Sequence, residues 1–416
     1  MKVDVVIIGA GPAGLSASIE LAENGLSVVV LDEYFRPGGR LLGQHYEDPK
    51  ASTNERLWDG KIVASRLAQK AQELNVQIFT GATVWSISER EGTGWQVELS
   101  GCKFKTIQSE ALLAATGSVE KSMPIPGWTL PGVVTVGAAQ TFTNLHRIAI
   151  GKRVLVVGID PLALSVTMEM KKAGIDVIAA VLPPLNFISG KAASPLHVLD
   201  RLAGLTELAP NPFLRTMGHF ALKNFKIMSA HAMRLNLLKI EGVPIHLRKA
   251  IQSIDGEYQV EAVTLHSVSV DGNPIGEVTR VKVDTVCISG GLYPLVDIAQ
   301  AVGCPIIDIP ELGGLVPIHG ADLSTPIEGL FVAGNITGIE GAKVAMAQGT
   351  LAATSILKTF NKKTSIEVNN AIQNVARARE VSPLRFLPDI EEGRTKMALA
   401  WKESRLQNER SDYLSV

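Results

Sequence analysis

Residues 5–14 read Val5-Val6-Ile7-Ile8-Gly9-Ala10-Gly11-Pro12-Ala13-Gly14, a β-branched run that breaks into three glycines at fixed offsets. A strand buried on both faces carries such an uninterrupted apolar run, because neither face meets water. After Gly14 the apolar residues Leu15, Ile19 and Ala22 are spaced for one helix face, until Gly25 stops the pattern. Val28-Val29-Val30-Leu31 then reads as a second strand and ends on Asp32, eighteen residues past Gly14. Together these make a strand–helix–strand unit with the Gly-x-Gly-x-x-Gly dinucleotide fingerprint in its first turn. Gly9 permits the tight turn, Gly11 lets a pyrophosphate approach the backbone, and Gly14 lets helix and strand pack closely. The helix N-terminus offers N–H groups and partial positive charge to the diphosphate. Asp32, with Glu33 beside it, is the candidate for the adenosine ribose hydroxyls.

A second unit of this kind opens at Lys152, with Val154-Leu155-Val156-Val157-Gly158, a helix to about residue 172, Gly174 as its stop and a strand over 177–181. Its fingerprint is degenerate. Gly158-Ile159-Asp160-Pro161-Leu162-Ala163 puts a carboxylate where a diphosphate needs close backbone approach, so Asp160 would repel it and take its space. The strand end Ala179-Ala180-Val181 offers neither an acid for NAD ribose nor an Arg for a 2′-phosphate. A structural second domain is the favoured expectation, and NAD(P)H binding there is the alternative. Residues 183–236, with several Pro and few strand signals, predict loops and helices covering one face. Strand-like pieces at 262–270 and 278–283 flank Asp271-Gly272-Asn273-Pro274 as a hairpin. The apolar strand, Gly-rich loop and helix pattern that resumes at Asp284 predicts re-entry into the first domain. The polar residues 361–416 predict a helical tail.

With 416 residues, 46% hydrophobic and 19% charged, the chain can bury a large core and is not disordered in bulk. Forty Lys+Arg against 41 Asp+Glu leave no basic surplus to neutralise a phosphate backbone, so nucleic acid is not an expected partner. Cys102, Cys287 and Cys304 form no CxxC pair, which excludes a dithiol relay and argues against a disulfide scaffold, a zinc site or a self-contained iron–sulfur cluster. Such cysteine usage suits a reducing compartment, and a cytoplasmic location is expected. No segment reaches the roughly 18 apolar residues of a membrane span. The N-terminal run, flanked by Lys2 and Asp4, is too short for a signal-peptide core.

Further segments carry a resemblance. Arg36-Pro37-Gly38-Gly39-Arg40 resembles the segment beside the diphosphate and flavin in two-dinucleotide-binding-domain flavoproteins. Thr83-Val84 resembles the strand that brackets the adenine there, and Thr116-Gly117, closing Leu112-Leu113-Ala114-Ala115, resembles the ATG segment of that class. Gly329-Leu330-Phe331-Val332-Ala333-Gly334-Asn335, leading into Gly338, Gly341-Ala342, Ala345 and Gln348-Gly349, resembles its second flavin motif. The resemblance spans nearly all of residues 1–360 and implies FAD. It implies contacts from Gly9, Gly11, Pro12, Ala13 and Gly14, from Asp32, Glu33, Gly39 and Arg40, from Val84, Thr116 and Gly117, and from Gly334, Asn335, Ala342 and Lys343. Most of the class has Asp where Asn335 stands. An amide carbonyl still accepts a ribityl hydroxyl but brings no charge, which predicts weaker flavin binding.

A narrower match lies in Met123-Pro124-Ile125-Pro126-Gly127-Trp128-Thr129-Leu130-Pro131-Gly132-Val133, followed by Gly137-Ala138-Ala139-Gln140. It resembles a signature of the FAD-bearing subunits of hydrogen cyanide synthase, opine oxidases and dye-linked proline or hydroxyproline dehydrogenases, to which the sarcosine oxidase large subunit is related. Residues 290–294 and 312–317 extend the match, and the Pro/Gly/Trp run also reads as a rigid crossover between domains. The implied fold is α/β, with two Rossmann-like domains. Residues 1–148 plus 285–360 would form the FAD-binding domain, 149–284 the NAD(P)-binding-like domain, and 361–416 the C-terminal helical tail. The implied activity is that of an FAD-dependent oxidoreductase subunit, working beside a second flavoprotein subunit that oxidises an amino acid, imino acid or opine, and delivering to an electron acceptor. Two alternatives stand beside it: a stand-alone NAD(P)H-dependent flavin reductase acting on quinone, dye or ferredoxin, and a flavin-binding assembly subunit without turnover. Several members of the group bear a Cys-rich two-iron, two-sulfur module. Residues after Asn361 contain no Cys, so any iron–sulfur relay is expected on another chain. Among possible catalytic groups, His45 in Gln44-His45-Tyr46 is the candidate to move a proton, and Arg40 to offset the negative charge of a reduced flavin. Lys343 is the candidate for the flavin N1/O2 edge. His197, His219 and His231 lack metal-ligand spacing, and no metal is expected.

Overall fold

A computed structural model describes residues 1–47, 57–90, 94–205, 238–382 and 386–414. The chain forms two compact units, the first from Met1–Leu42, Gly60–Val119 and Leu292–Val416, the second from Gly43–Asp59 and Glu120–Gly291.

In the first unit, β1 (Val5–Ile8), α1 (Pro12–Glu23) and β2 (Val28–Asp32) appear where the periodicity places them. They are followed by α2 (Gly60–Glu73), β3 (Gln77–Thr80) and β4 (Ala111–Ala114), and after the second unit by β5 (Leu330–Val332), α3 (Ala342–Thr359), α4 (Ser365–Glu380) and α5 (Ile390–Leu414). The five strands form a parallel sheet in the order β5-β4-β1-β2-β3. Both faces of β1 are buried, which is why its apolar run does not alternate with polar residues. Val5 and Ile7 join the core under α1 and α3, while Val6 and Ile8 pack with Trp95, Val97 and Ile107. Those residues come from an antiparallel sheet of Thr83–Glu89, Trp95–Ser100 and Thr106–Ser109 on the other face.

The polar C-terminal residues are helical, and they are built into this unit rather than trailing from it. Val368, Ala371 and Val375 of α4 enter the same core as α1 and α3. Ile390 and Met397 of α5 pack with Ile309, Leu312 and Val316. One narrow apolar face per helix suffices for that docking, so overall polarity masks it. Thr364 and Glu367 form a reciprocal capping box that starts α4.

The second unit holds a sheet in the order Val133–Thr135, Thr285–Ile288, Arg153–Val157, Asp176–Leu182, Val243–Asp255, Ala262–Val268, Pro274–Lys282. The first five strands run parallel, and the last two join as an antiparallel hairpin, as the turn at 271–274 predicts. The boundaries between units differ from those expected. Val286 lies beside both Val133 and Leu155, so 285–288 belongs to the second unit and the return to the first begins at Leu292. Residues 120–148 also belong to the second unit. A four-residue strand buried throughout fits either sheet equally well, so its pattern does not reveal which one it joins. The Pro/Gly/Trp run likewise packs inside the second unit. A Cβ on Gly127, whose φ is +85°, would fall 1.9 Å from the Ile254 carbonyl oxygen. In the stretch 183–236, the described part contains the turn Gly190–Ala193 and the helix Pro195–Leu205. The remainder, with His219 and His231, lies outside the described residues. Among the described residues no helix is long and apolar enough to cross a membrane.

Gln140, the end of the signature, reaches a buried carboxylate. Its Nε2 donates to both oxygens of Glu169 at 3.1 Å, and Asn144 Nδ2 and Ser165 Oγ donate at 2.5 and 2.9 Å. Burial outweighs these donors and pushes the Glu169 carboxyl up to about 7. The folded state thus holds this proton more tightly than the unfolded state. The resulting stability is complete below the ordinary value of 4.5 and is lost as pH rises to about 7. Glu169→Gln is expected to flatten that decline, read as the urea midpoint at each pH.

Candidate functional site

The C-terminal ends of β1, β2, β4 and β5 share one edge, with Ile8 beside Leu31 and Ala114, and Ala114 beside Val332. The chain leaves β1 toward β2 on one side while β4 flanks the other, a topological switch point of the kind where open α/β sheets bind ligands.

The three fingerprint glycines at this edge do different work. A Cβ on Gly9, whose φ is +107°, would fall 2.3 Å from the Ala115 carbonyl oxygen, and one on Gly14 would fall 1.9 Å from that of Gly9. Both glycines are required by the chain's own packing. Gly11 has ordinary extended backbone (φ −74°, ψ −175°), and its added Cβ would meet no atom within 4 Å. Nothing inside the chain needs glycine there, and the space is left as a cradle. Above it α1 begins with no side-chain cap and no acid in its first turn, so its terminal N–H groups and positive dipole end stay uncompensated. Pro12, Ala13 and Gly14 form that first turn. Gly38 N donates to Ala10 O at 2.8 Å, which brings Gly39 to Gly11: a Cβ on Gly39 would lie 3.1 Å from the Gly11 Cα.

Asp32 secures this loop. Its Oδ2 accepts from Ala10 N at 2.6 Å and its Oδ1 from Tyr34 N at 2.8 Å. Burial raises its pKa, against the pull of the two hydrogen bonds. Both oxygens already serve the backbone, and Glu33, exposed at the same corner, is the carboxylate open to solvent. Ala82 N donates to the Asp32 carbonyl at 3.0 Å, which carries Thr83-Val84 to the end of β2.

On the other side, Thr116 Oγ1 donates to Leu295 O at 2.6 Å, and Gly117 offers a second open position, with nothing within 4 Å of an added Cβ. Arg40 Nε donates to Ser118 O at 3.2 Å, and Asn335 Nδ2 lies 3.4 Å from Ser118 Oγ. Ser118 thus joins Arg40 to Asn335, a role with no signal in the sequence. The Asn335 carbonyl accepts from Glu340 N at 3.1 Å, so one of the lone pairs expected for a ribityl hydroxyl is already engaged. Gly334 approaches α1, since its added Cβ would lie 2.9 Å from that of Ala13, and one on Gly349 would lie 2.1 Å from the Ala13 carbonyl oxygen. These contacts set the start of α3, with Ala342 and Lys343, beside the start of α1. That helix N-terminus likewise has no side-chain cap and no acid in its first turn.

His45 is not in this set. It belongs to the second unit, on a short strand paired with Leu57–Asp59, with Nδ1 3.6 Å from Asp59 Oδ2. In the same unit Asp160 caps the helix Pro161–Lys172, its Oδ1 accepting from Leu162 N at 2.9 Å and Ala163 N at 3.0 Å. The carboxylate sits on the N–H groups a diphosphate would use. Among the described residues no group of three or more His, Cys, Asp or Glu side chains could hold a metal ion.

The family model for pyridine nucleotide-disulphide oxidoreductases matches residues 3–349. An opine oxidase subunit of Agrobacterium tumefaciens (strain Ach5) is 29% identical over 389 residues, covering 88% of this chain and 69% of that protein. Hydrogen cyanide synthase subunit HcnB of Pseudomonas aeruginosa is 27% identical over 362 residues, covering 86% of this chain and 71% of that protein. The crystal structure of L-proline dehydrogenase from P. horikoshii shares the fold at a TM-score of 0.63 and 21% identity, covering 91% of this chain and 59% of that one. The chain therefore spans only part of the length of each.

Proposed function

Because the chain belongs to the pyridine nucleotide-disulphide oxidoreductase family, we propose that it is the FAD-bearing subunit of a heteromeric dehydrogenase or oxidase, acting in the cytoplasm on an amino acid, imino acid or opine. The observation that carries this reading is the contrast between the two fingerprints. In the first unit Gly11 leaves a cradle under an uncapped helix, and in the second Asp160 fills the corresponding position with its own carboxylate. One dinucleotide, not two, fits this chain.

When bound, FAD supplies a two-electron acceptor that takes a hydride or electron pair from the amine donor and passes it on. Gly11, Ala13, Gly14 and Gly39 would hold the diphosphate, Glu33 with Asp32 the ribose, and Val84 the adenine. Thr116, Gly117, Gly334 and Asn335 would hold the ribityl end. Arg40 and the α3 N-terminus, with Ala342 and Lys343, would favour the negative charge of the reduced ring. A thiol relay has no support here: the three cysteines are all free, and burial pushes Cys304 up to about 11 and Cys287 higher still. The relatives are named as subunits, which supports at least one further chain as partner; we take that chain to be a second flavoprotein, with an electron acceptor beyond it.

An anaerobic visible absorption titration tests the proposal. The purified chain is expected to show flavin peaks that neither NADH nor NADPH bleaches, and that proline, sarcosine or an opine bleaches once the partner subunit is added. Rapid bleaching by a nicotinamide would replace this reading with a stand-alone reductase. A colourless protein that takes up no FAD would overturn it.

A further inference from the structure

We propose that Glu340 is a positioning residue for the flavin-holding loop 334–341, locked in place by the two C-terminal helices; the inference rests on the FAD reading above. The Glu340 side chain is only 8% exposed, yet it carries a carboxylate that must be compensated. Arg379 of α4 supplies two donors, Nε to Oε1 at 2.7 Å and Nη2 to Oε2 at 3.2 Å. Arg394 Nη2 of α5 and Gln348 Nε2 of α3 also donate to Oε2, the latter at 3.1 Å. Burial opposes ionisation of this carboxyl, but the two guanidiniums prevail and hold it below the usual range.

Every further bond from this cluster points into the loop. Held by Glu340, Gln348 turns its Oε1 to Gly334 N at 2.7 Å and Thr337 Oγ1 at 3.1 Å. Arg394 Nη1 donates to Thr337 O at 2.8 Å. The backbone N–H of Glu340 donates to Asn335 Oδ1, which leaves the amide donors facing Ser118. Glu340 therefore acts on the loop twice: its carboxylate holds the Gly334 backbone through Gln348, and its backbone N–H, placed by that anchored side chain, orients Asn335. A purely structural purpose accounts poorly for this, since a buried ion cluster is often no more stabilising than apolar side chains of the same size. Arg379 and Arg394 also lie beyond residues 3–349, the part the family model covers, so the clamp is not a requirement of the shared fold.

The test compares Arg379→Met, Arg379→Lys and Glu340→Gln with the wild-type chain. FAD affinity is measured by titrating the apoprotein, and the midpoint potential of the bound flavin and the apoprotein melting temperature are measured alongside. Arg379→Met leaves Glu340 paired with Arg394, so no buried carboxylate is orphaned and folding is retained. We expect Arg379→Met and Glu340→Gln to weaken FAD binding by about tenfold or more and to move the potential. Arg379→Lys should restore most of the affinity. Wild-type affinity and potential in both Arg379→Met and Glu340→Gln would overturn the proposal. So would a loss of affinity that only tracks the melting temperature and is not rescued by lysine, because that marks a merely structural role. Failure of the wild-type chain itself to bind FAD would instead sink the cofactor reading on which the clamp rests.

Discussion

Gly11→Val should yield a folded protein that no longer binds flavin. Its extended backbone suits any residue, and the space around the added Cβ is empty out to 4 Å, so the substitution strains nothing in the apoprotein. Gly11 is the N-cap of α1, where glycine is preferred to valine, so the exchange costs the helix on the order of 1 kcal/mol, too little to unfold the chain. The two γ-methyls would instead fill the cradle under α1 and block the approach of a diphosphate to the N–H groups of Ala13 and Gly14. A loss of at least ~100-fold in FAD affinity is expected, about 2.7 kcal/mol. The measurement is flavin content at saturating FAD, beside far-UV circular dichroism and melting temperature. Unchanged dichroism with absent flavin is the expected pair. Retained flavin would mean that the diphosphate lies elsewhere.

Gly14→Ala, three residues away, should do the opposite and damage the fold itself. In a solvent-exposed helix this change stabilises by about 1 kcal/mol. Here the new Cβ would fall 1.9 Å from the Gly9 carbonyl oxygen and 3.2 Å from Ile7 Cγ2, and the first of these is backbone that cannot rotate aside. α1 must then lift from β1, opening a core in which Val5, Ile7, Leu15 and Leu21 are fully buried. Destabilisation on the order of 3 kcal/mol or more is expected, seen as a lower denaturant midpoint. A variant as stable as the wild type would show that helix and strand do not approach as closely as described.

The contrast between these two glycines marks how far reading the residues alone could go. The strand–turn–helix–strand order at 5–32, the hairpin around 271–274 and the obstruction at Asp160 were all legible, because each is a local property. Burial of both faces writes an unbroken apolar run, helices write a 3.6-residue period, and a charge in a Gly-rich turn is visible as such. The motifs likewise marked the proposed cofactor residues from Gly9 to Lys343, Arg40 among them, and all of these lie in the first unit. His45 carried no such local signature beyond its residue type, and it lies in the other unit, paired with Asp59.

What the sequence determined by itself is therefore the set of elements, their buried faces and the presence of one open and one blocked fingerprint. Only the tertiary structure decided which sheet received Thr285–Ile288, how the polar C-terminal helices docked, and that Asn335 is oriented from behind by Glu340. It also decided that Gly11 is free of packing duty while Gly9 and Gly14 are not. The physical reason is range. A backbone dihedral preference or a face of apolar residues is set within a dozen residues, whereas the meeting of Ser118 with Asn335, or of Glu340 with Arg379 and Arg394, joins positions between 39 and 217 residues apart. Such contacts depend on where the sheet places each strand end, which no local stretch of sequence specifies.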